Sequence, residues 1–220
     1  MKISLIVLSF VCYSLVFAKP KHAVKPKDNE SAISQILKKY SKAAGIRAQF
    51  VKTDFKKTLG IKKSSTGELQ YASGKINVST MSDKKVEIIY NGKNLWVIEY
   101  PDLDFDPKGK RKVTEIADHK PALAQQLINL FQEPTDFLKN FKIMSEKENG
   151  KMNTVMFQSK DKAIQNFEVE FNTDKMLINS IQFVDDVQTE THFEFKQTEF
   201  LKKSTENIFE YKRLKNDEVM

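Results

Sequence analysis

The sequence predicts an α+β protein dominated by strands: a long antiparallel sheet that curls into a barrel or half-barrel, with helices over its open side. Three observations predict it. Apolar and polar residues alternate in one stretch after another, as in Phe167-Glu168-Val169-Glu170-Phe171 and Phe193-Glu194-Phe195, giving each strand one apolar and one charged face. Turn residues separate these stretches at short intervals, and only two regions change to a helical period. Phenylalanine, at 16 of 220 residues, supplies a large apolar interior.

The chain opens with Lys2, an apolar run from Ile3 to Phe17 and the exit Val16-Phe17-Ala18. That order of charge, apolar stretch and small residue is the pattern of a secretory signal peptide, predicted to be cleaved after Ala18. As a membrane anchor the run falls short of the roughly 20 residues a spanning helix needs. Its Cys12 is the only cysteine, and Phe10-Val11 before it are too large for a lipid-attachment site, so the exported chain is expected to carry neither disulfide nor lipid anchor. Removing 18 of 220 residues leaves 202, enough for a self-sufficient core, and losing Lys2 lowers the net charge from +7 to +6. Lys19, Lys21, Lys25 and Lys27, with Pro20 and Pro26 between them, read as a flexible basic tail over residues 19–30 that can touch anionic head groups. Export and the lack of any zinc-finger or RNP-type motif argue against nucleic acid. Residues 31–220 carry no linker and are expected to form one domain.

Asp28-Asn29-Glu30-Ser31 offers N-caps to an amphipathic helix through Ile33, Ile36, Leu37, Tyr40 and Ala44, ending at Gly45. From Ile46 the period is two. Strands are predicted from Ile46 toward Phe55, then over 67–72, 75–81, 85–90 and 94–100, with Asn91-Gly92 as a type I′ hairpin. After a polar stretch from Asp102 to Lys112 and a strand at 113–116, Leu123, Leu127, Leu130 and Phe131 recur at helical spacing between Pro121 and Pro134, followed by a shorter piece with Phe137, Leu138 and Phe141. Strands resume at 142–148, 152–158, 163–172, 176–184, 189–200 and 207–212. The total is about eleven or twelve.

Catalytic chemistry has little to stand on. His119 and His192 belong to no motif, a Gly-x-Ser-x-Gly elbow is absent, and Asp185-Asp186 precede a hairpin, where turn formation explains them. Asp102, Asp104 and Asp106 alternate like the start of a calcium loop, but Pro107 stands where such a loop needs glycine and no glutamate follows at the required distance. No enzyme, cofactor or metal is expected.

In order along the chain come a helix, Arg47-Ala48-Gln49-Phe50, Gly67-Glu68-Leu69, Asn91-Gly92-Lys93-Asn94-Leu95-Trp96 and Tyr100-Pro101. Pro121 to Leu130, Phe141-Lys142-Ile143, Ile164 to Val169 and Ile178 to Phe183 follow. From about Ile33 to Val219 this sequence resembles the periplasmic lipoprotein carrier family LolA. Two places depart from it: an arginine-proline pair linked in the family to lid closure and ligand release falls here on Ser73-Gly74, and the last strand reads Phe209-Glu210-Tyr211-Lys212-Arg213-Leu214 where the family often has prolines. The resemblance implies a half-barrel of about eleven antiparallel strands closed by a helical lid, and a monomer in the periplasm. It implies binding of lipoprotein acyl chains, taken from an inner-membrane lipoprotein-releasing ABC transporter and passed to an outer-membrane receptor. The same fold also suits a regulatory module that senses acyl chains or lipoproteins. For the cavity and lid it points to Leu69, Tyr71, Ile76, Val78, Ile88, Tyr90, Trp96, Ile98, Leu123, Leu127, Leu130 and Phe131, on the condition that each strand keeps the assumed face, since a slip of one residue exchanges faces.

Overall fold

Ser31 is the N-cap of the first helix: its Oγ accepts the Ser34 N–H at 3.2 Å, satisfying one of the free donors of the first turn. The computed structural model describes residues 31–102, 104–116, 130–131, 141–159, 164–185, 187–203 and 206–220. Helix α1 (Ala32–Lys42) places Lys39 and Lys42 in its last turn, where cations suit the helix dipole, and buries Ile36, Leu37 and Tyr40. It ends at Lys42, earlier than the glycine stop predicted at Gly45, because Gly45 already belongs to β1 (Gly45–Lys56).

The strands β1, β2 (Ile61–Ala72), β3 (Lys75–Met81), β4 (Lys85–Tyr90), β5 (Leu95–Glu99) and β6 (Lys112–Ile116) form one meander. A second runs through β7 (Phe141–Asn149), β8 (Met152–Ser159), β9 (Ile164–Asn172), β10 (Leu177–Asp185) and β11 (Thr189–Leu201). β11 returns to pair with β1, joining both meanders into a twelve-stranded sheet, β12-β6-β5-β4-β3-β2-β1-β11-β10-β9-β8-β7. This sheet is curved but open; among the described residues β7 and β12 do not meet. Its last member, β12 (Glu218–Val219), is parallel to β6, so the sheet is not antiparallel throughout.

Two local expectations are corrected. The Asn91-Gly92 turn is not type I′: Gly92 has φ 96 but Asn91 does not share a positive φ. Asn91 Oδ1 instead accepts the N–H groups of Lys93 and Asn94 at 3.0 and 2.9 Å, an Asx turn that closes the hairpin through a side chain. The two-residue type I′ turn occurs at Ser73-Gly74, with φ of 47 and 77 between the paired residues Ala72 and Lys75. The strand expected over 207–212 is a 3₁₀ turn (Glu206–Phe209) and an irregular segment laid across the sheet: Asn77 of β3 donates to the Ile208 carbonyl oxygen at 2.8 Å, and Tyr211 packs on the Trp96 cluster rather than pairing at an edge.

Register makes one close approach obligatory. Phe50 packs over Gly67, its β1–β2 partner, and a Cβ at position 67 would collide with that ring and with the Ser79 carbonyl oxygen. Gly67→Ala is therefore expected to destabilise the fold by about 1–3 kcal/mol, measured by urea denaturation; an unchanged midpoint would show that the ring can move aside freely.

Candidate functional site

The face of the sheet turned toward α1 is apolar across both meanders. Cross-strand pairs place Ile46, Tyr71, Ile76, Tyr90 and Leu95 on it in successive strands, and likewise Phe193, Ile181, Val169 and Val155. Together with Ile36, Leu37 and Tyr40 of α1 they form one buried cluster. Aromatic rings run through it: Phe50 meets Phe193 edge-on at 5.1 Å, Phe193 stacks on Phe183 at 6.4 Å, and Phe167 touches Phe141 and Phe157.

Leu130 and Phe131, helical in conformation, lie in this cluster at 0 % and 2 % exposure. The Phe131 ring is stacked on Tyr40 at 5.4 Å and meets Tyr71 at the same distance at a steeper angle, so three aromatics join α1, the 130–131 segment and β2. Tyr40 also meets Phe200 edge-on at 5.0 Å, and its oxygen accepts the Ile178 N–H at 3.0 Å. Burial pushes the Tyr40 hydroxyl up to about 12, so it stays neutral at any ordinary pH.

Along β1 the same face changes character. Ile46, Ala48 and Phe50 are buried, whereas Lys52 donates to Asp54 Oδ2 at 2.7 Å and Asp54 Oδ1 accepts from the Thr191 hydroxyl at 2.7 Å. Beside them a cleft of about 350 Å³ is lined by Lys63, Ser64, Ser65, Thr80, Ser82 and Asp83 as well as Lys52 and Asp54. The inner face thus has an apolar floor under α1 and a polar end beyond Phe50.

Of the predicted cavity residues, Leu69, Tyr71, Ile76 and Tyr90 are buried on the inner face, Val78 and Ile88 pack against them half-buried, and Leu130 and Phe131 cover them. Trp96 and Ile98 are on the other face, which corrects their assignment to the lining: with Ile89 and Val113 they form a second cluster, packed against Tyr100 and Tyr211. The pairs Tyr90↔Leu95 and Ile88↔Val97 turn Leu95 and Val97 inward and Trp96 and Ile98 outward. In an unbroken apolar run such as Leu95-Trp96-Val97-Ile98, alternation gives no sign of which residue faces which way. Leu123 and Leu127 lie outside the described residues. The lining residues expected from sequence include none from the second meander, whose share of the floor was visible in the alternation of Phe167, Val169 and Phe171.

Residues 41–212 match the family described as outer membrane lipoprotein carrier protein LolA. The chain belongs to the LolA family. Solved structures with related folds are distant from this LolA-family member. A conserved protein of Thermus thermophilus is 8% identical, with 86% of this chain and 97% of that one covered at TM-score 0.48. For a LolA superfamily protein of Nitrosomonas europaea the values are 9%, 81%, 97% and 0.40. MucB in the MucA/MucB complex of Pseudomonas aeruginosa is 12% identical over 82% of this chain and 60% of that one, at TM-score 0.37. No curated protein matches by sequence. Among the described residues, no three His, Cys, Asp or Glu side chains are grouped as a metal would need, and no helix is long and apolar enough to cross a membrane.

Proposed function

We propose that this LolA-family chain carries lipoprotein acyl chains through the periplasm, binding them on the inner face of the sheet. The observation that carries the reading is the continuous aromatic and aliphatic floor shared by both meanders, covered by α1 and the 130–131 segment through a few ring contacts and not by a strand ladder. Each buried methylene contributes about 0.8 kcal/mol, so a lipid-modified protein crosses water only if another apolar surface receives its chains. Separating Phe131 from Tyr40 and Tyr71 uncovers such a surface, which makes Leu130 and Phe131 part of a helical lid. Lid opening exchanges side-chain contacts for acyl contacts and needs neither a nucleophile nor a cofactor. In this reading residues 1–18 direct export and are removed, residues 31–220 act as one domain, and Trp96 and Ile98 stabilise the fold without touching ligand. An inner-membrane ABC transporter loads the carrier, and an outer-membrane receptor that binds the chains more tightly unloads it.

The test offers the purified protein a fluorescent fatty acid in solution, and then a lipoprotein in inner-membrane vesicles containing the transporter. Saturable binding and release of soluble lipoprotein are expected. Val78→Glu, which sets a charge on the half-buried part of the floor, is expected to weaken fatty-acid binding by at least about tenfold with little change in circular dichroism. Failure of the wild type to bind either ligand would refute acyl carriage. Binding without onward transfer would assign the same face to sensing.

A further inference from the structure

The tip of the β1–β2 hairpin combines exposed aliphatic side chains with a run of lysines. β1 pairs with β11 only as far as Lys56↔Thr189, and β2 pairs with β3 only from Thr66↔Met81 onward, so residues 61–65 reach past β3 and the turn after Lys56 reaches past β11 as well. Every residue from Lys56 to Ser64 is exposed, including Leu59 at 65% and Ile61 at 45%. Around these two aliphatic side chains stand Lys56, Lys57, Lys62 and Lys63, and the segment from 55 to 67 contains no acidic residue. The β10–β11 turn beside it, reached through the Lys56↔Thr189 pair, adds Val187 at 67% exposure, and Met81 is half exposed at the end of β3. Three carboxylates at this end already have partners: Glu190 with Lys57 at 3.0 Å, Asp54 with Lys52 and Thr191, and Asp185 with the N–H groups of Val187 and Thr189. Lys56, Lys62 and Lys63 face solvent.

We propose that this hairpin tip is a membrane-contact element, which seats the polar end of the inner face on an anionic bilayer. The geometry favours a bilayer as the occupant: lysine stems cover apolar surface while their ammonium groups reach phosphate oxygens, and Leu59 and Ile61 between them enter the head-group boundary. A projecting tip with apolar residues at its end suits a soft, planar, negatively charged surface. Lys63 lines the cleft that also holds Lys52 and Asp54, so contact at the tip brings the end of the inner face beyond Phe50 to the lipid. The inference complements acyl carriage and stands or falls separately, because fatty-acid binding in solution needs no tip.

The experiment is co-sedimentation of the exported chain with vesicles of phosphatidylcholine alone and of phosphatidylcholine and phosphatidylglycerol in equal parts. Binding to the mixed vesicles only, weakened by added salt, is expected. Lys56→Gln, Lys62→Gln and Lys63→Gln together are expected to weaken it by about a hundredfold, since each lysine near such a surface contributes about fivefold. Leu59→Ser with Ile61→Ser is expected to cost about tenfold, and all these variants should bind the fluorescent fatty acid as the wild type does. A further variant with Lys19, Lys21, Lys25 and Lys27 changed to Gln measures the tail separately. The proposal is overturned if the wild type ignores anionic vesicles, if tip variants sediment like the wild type, or if the tail variant alone loses binding. In those cases the tip is a solvated surface or a contact for an acidic protein.

Discussion

Replacing Asp217 with alanine is expected to lower the unfolding free energy by about 3 kcal/mol and to loosen the C-terminal segment from the outer face of the sheet. Its carboxylate is almost completely enclosed, with a side-chain exposure of 1%, and four donors converge on it. Arg111 Nε and Nη2 donate in a forked pair at 2.8 and 2.7 Å, the Tyr211 hydroxyl donates at 2.6 Å and the Leu214 N–H at 2.7 Å. Arg111 also donates to the Lys212 carbonyl oxygen, so one ion pair ties the end of the β5–β6 connection to the segment after the 3₁₀ turn. Without the carboxylate, Arg111 keeps its desolvation cost and loses its partner, which is why breaking such a pair costs more than the pair contributes over an apolar replacement.

Trp96 reports the event. It is the only tryptophan, is 6% exposed, and has the Tyr211 ring centroid at 5.9 Å. Asp217→Ala is expected to shift tryptophan emission to longer wavelength and to lower the urea midpoint; an unchanged spectrum and midpoint would show that the segment is held by Phe209 and Tyr211 packing alone. The pH dependence has a definite sign. The Arg111 hydrogen bonds hold the Asp217 carboxyl well below the usual carboxylate range, so its contribution is complete above about pH 4 and is lost as pH falls toward the depressed folded value. In the opposite direction, burial, with the Asp217 bond next in importance, pushes the Tyr211 hydroxyl from 10.0 up to about 12. That contribution is present below pH 10 and lost as pH rises through the folded value. Asp217→Asn should flatten the acid limb, compared by urea denaturation across pH.

Introducing the family's proline by Gly74→Pro is expected to cost about 3 kcal/mol or more, because proline fixes φ near −65° and position 74 has φ 77. The neighbouring Ser73→Arg leaves φ 47 in the region a non-glycine side chain already occupies there, and is expected to change stability by less than about 1 kcal/mol. Urea denaturation of both variants measures the contrast; a Gly74→Pro protein as stable as the wild type would show that β2 and β3 accept a different connection. The departure from the family pattern is thus built into the hairpin. A two-residue type I′ turn needs positive φ at both central positions, and an arginine-proline pair cannot supply it. The arginine-proline pair at this place would require a different turn, whereas an arginine alone would not.

Legibility in the sequence followed the strength of alternation. Where apolar and charged residues alternate without interruption, as in Phe167 to Phe171, the strand and its buried face could both be read, and the structure buries Phe167, Val169 and Phe171 completely. Where the run is apolar throughout, as in Leu95 to Ile98, the strand was legible and its face was not. The C-terminal stretch misled in another way. Phe209 and Tyr211 alternate like strand residues, yet Phe209 ends a 3₁₀ turn and Tyr211 packs on side chains of the outer face of β4–β6, set by a packing need that arises only once the sheet exists. The Asn91-Gly92 pair marked the hairpin correctly, while the asparagine side chain, by accepting two backbone N–H groups, made a positive φ at Asn91 unnecessary.

By itself the sequence determined a mainly β chain made of two meanders, an amphipathic helix capped within Asp28-Asn29-Glu30-Ser31, and membership of the LolA family through the order of its motifs, because period, capping and turn chemistry are local properties of consecutive residues. Tertiary structure alone decided which face of β4 and β5 is inward, that β11 closes on β1 and leaves the sheet open, that the outer face has its own core under the C-terminal segment, and that Phe131 bridges Tyr40 and Tyr71. Those are matters of register and long-range contact, and a one-residue slip, which leaves the local pattern intact, would reverse every side chain in a strand.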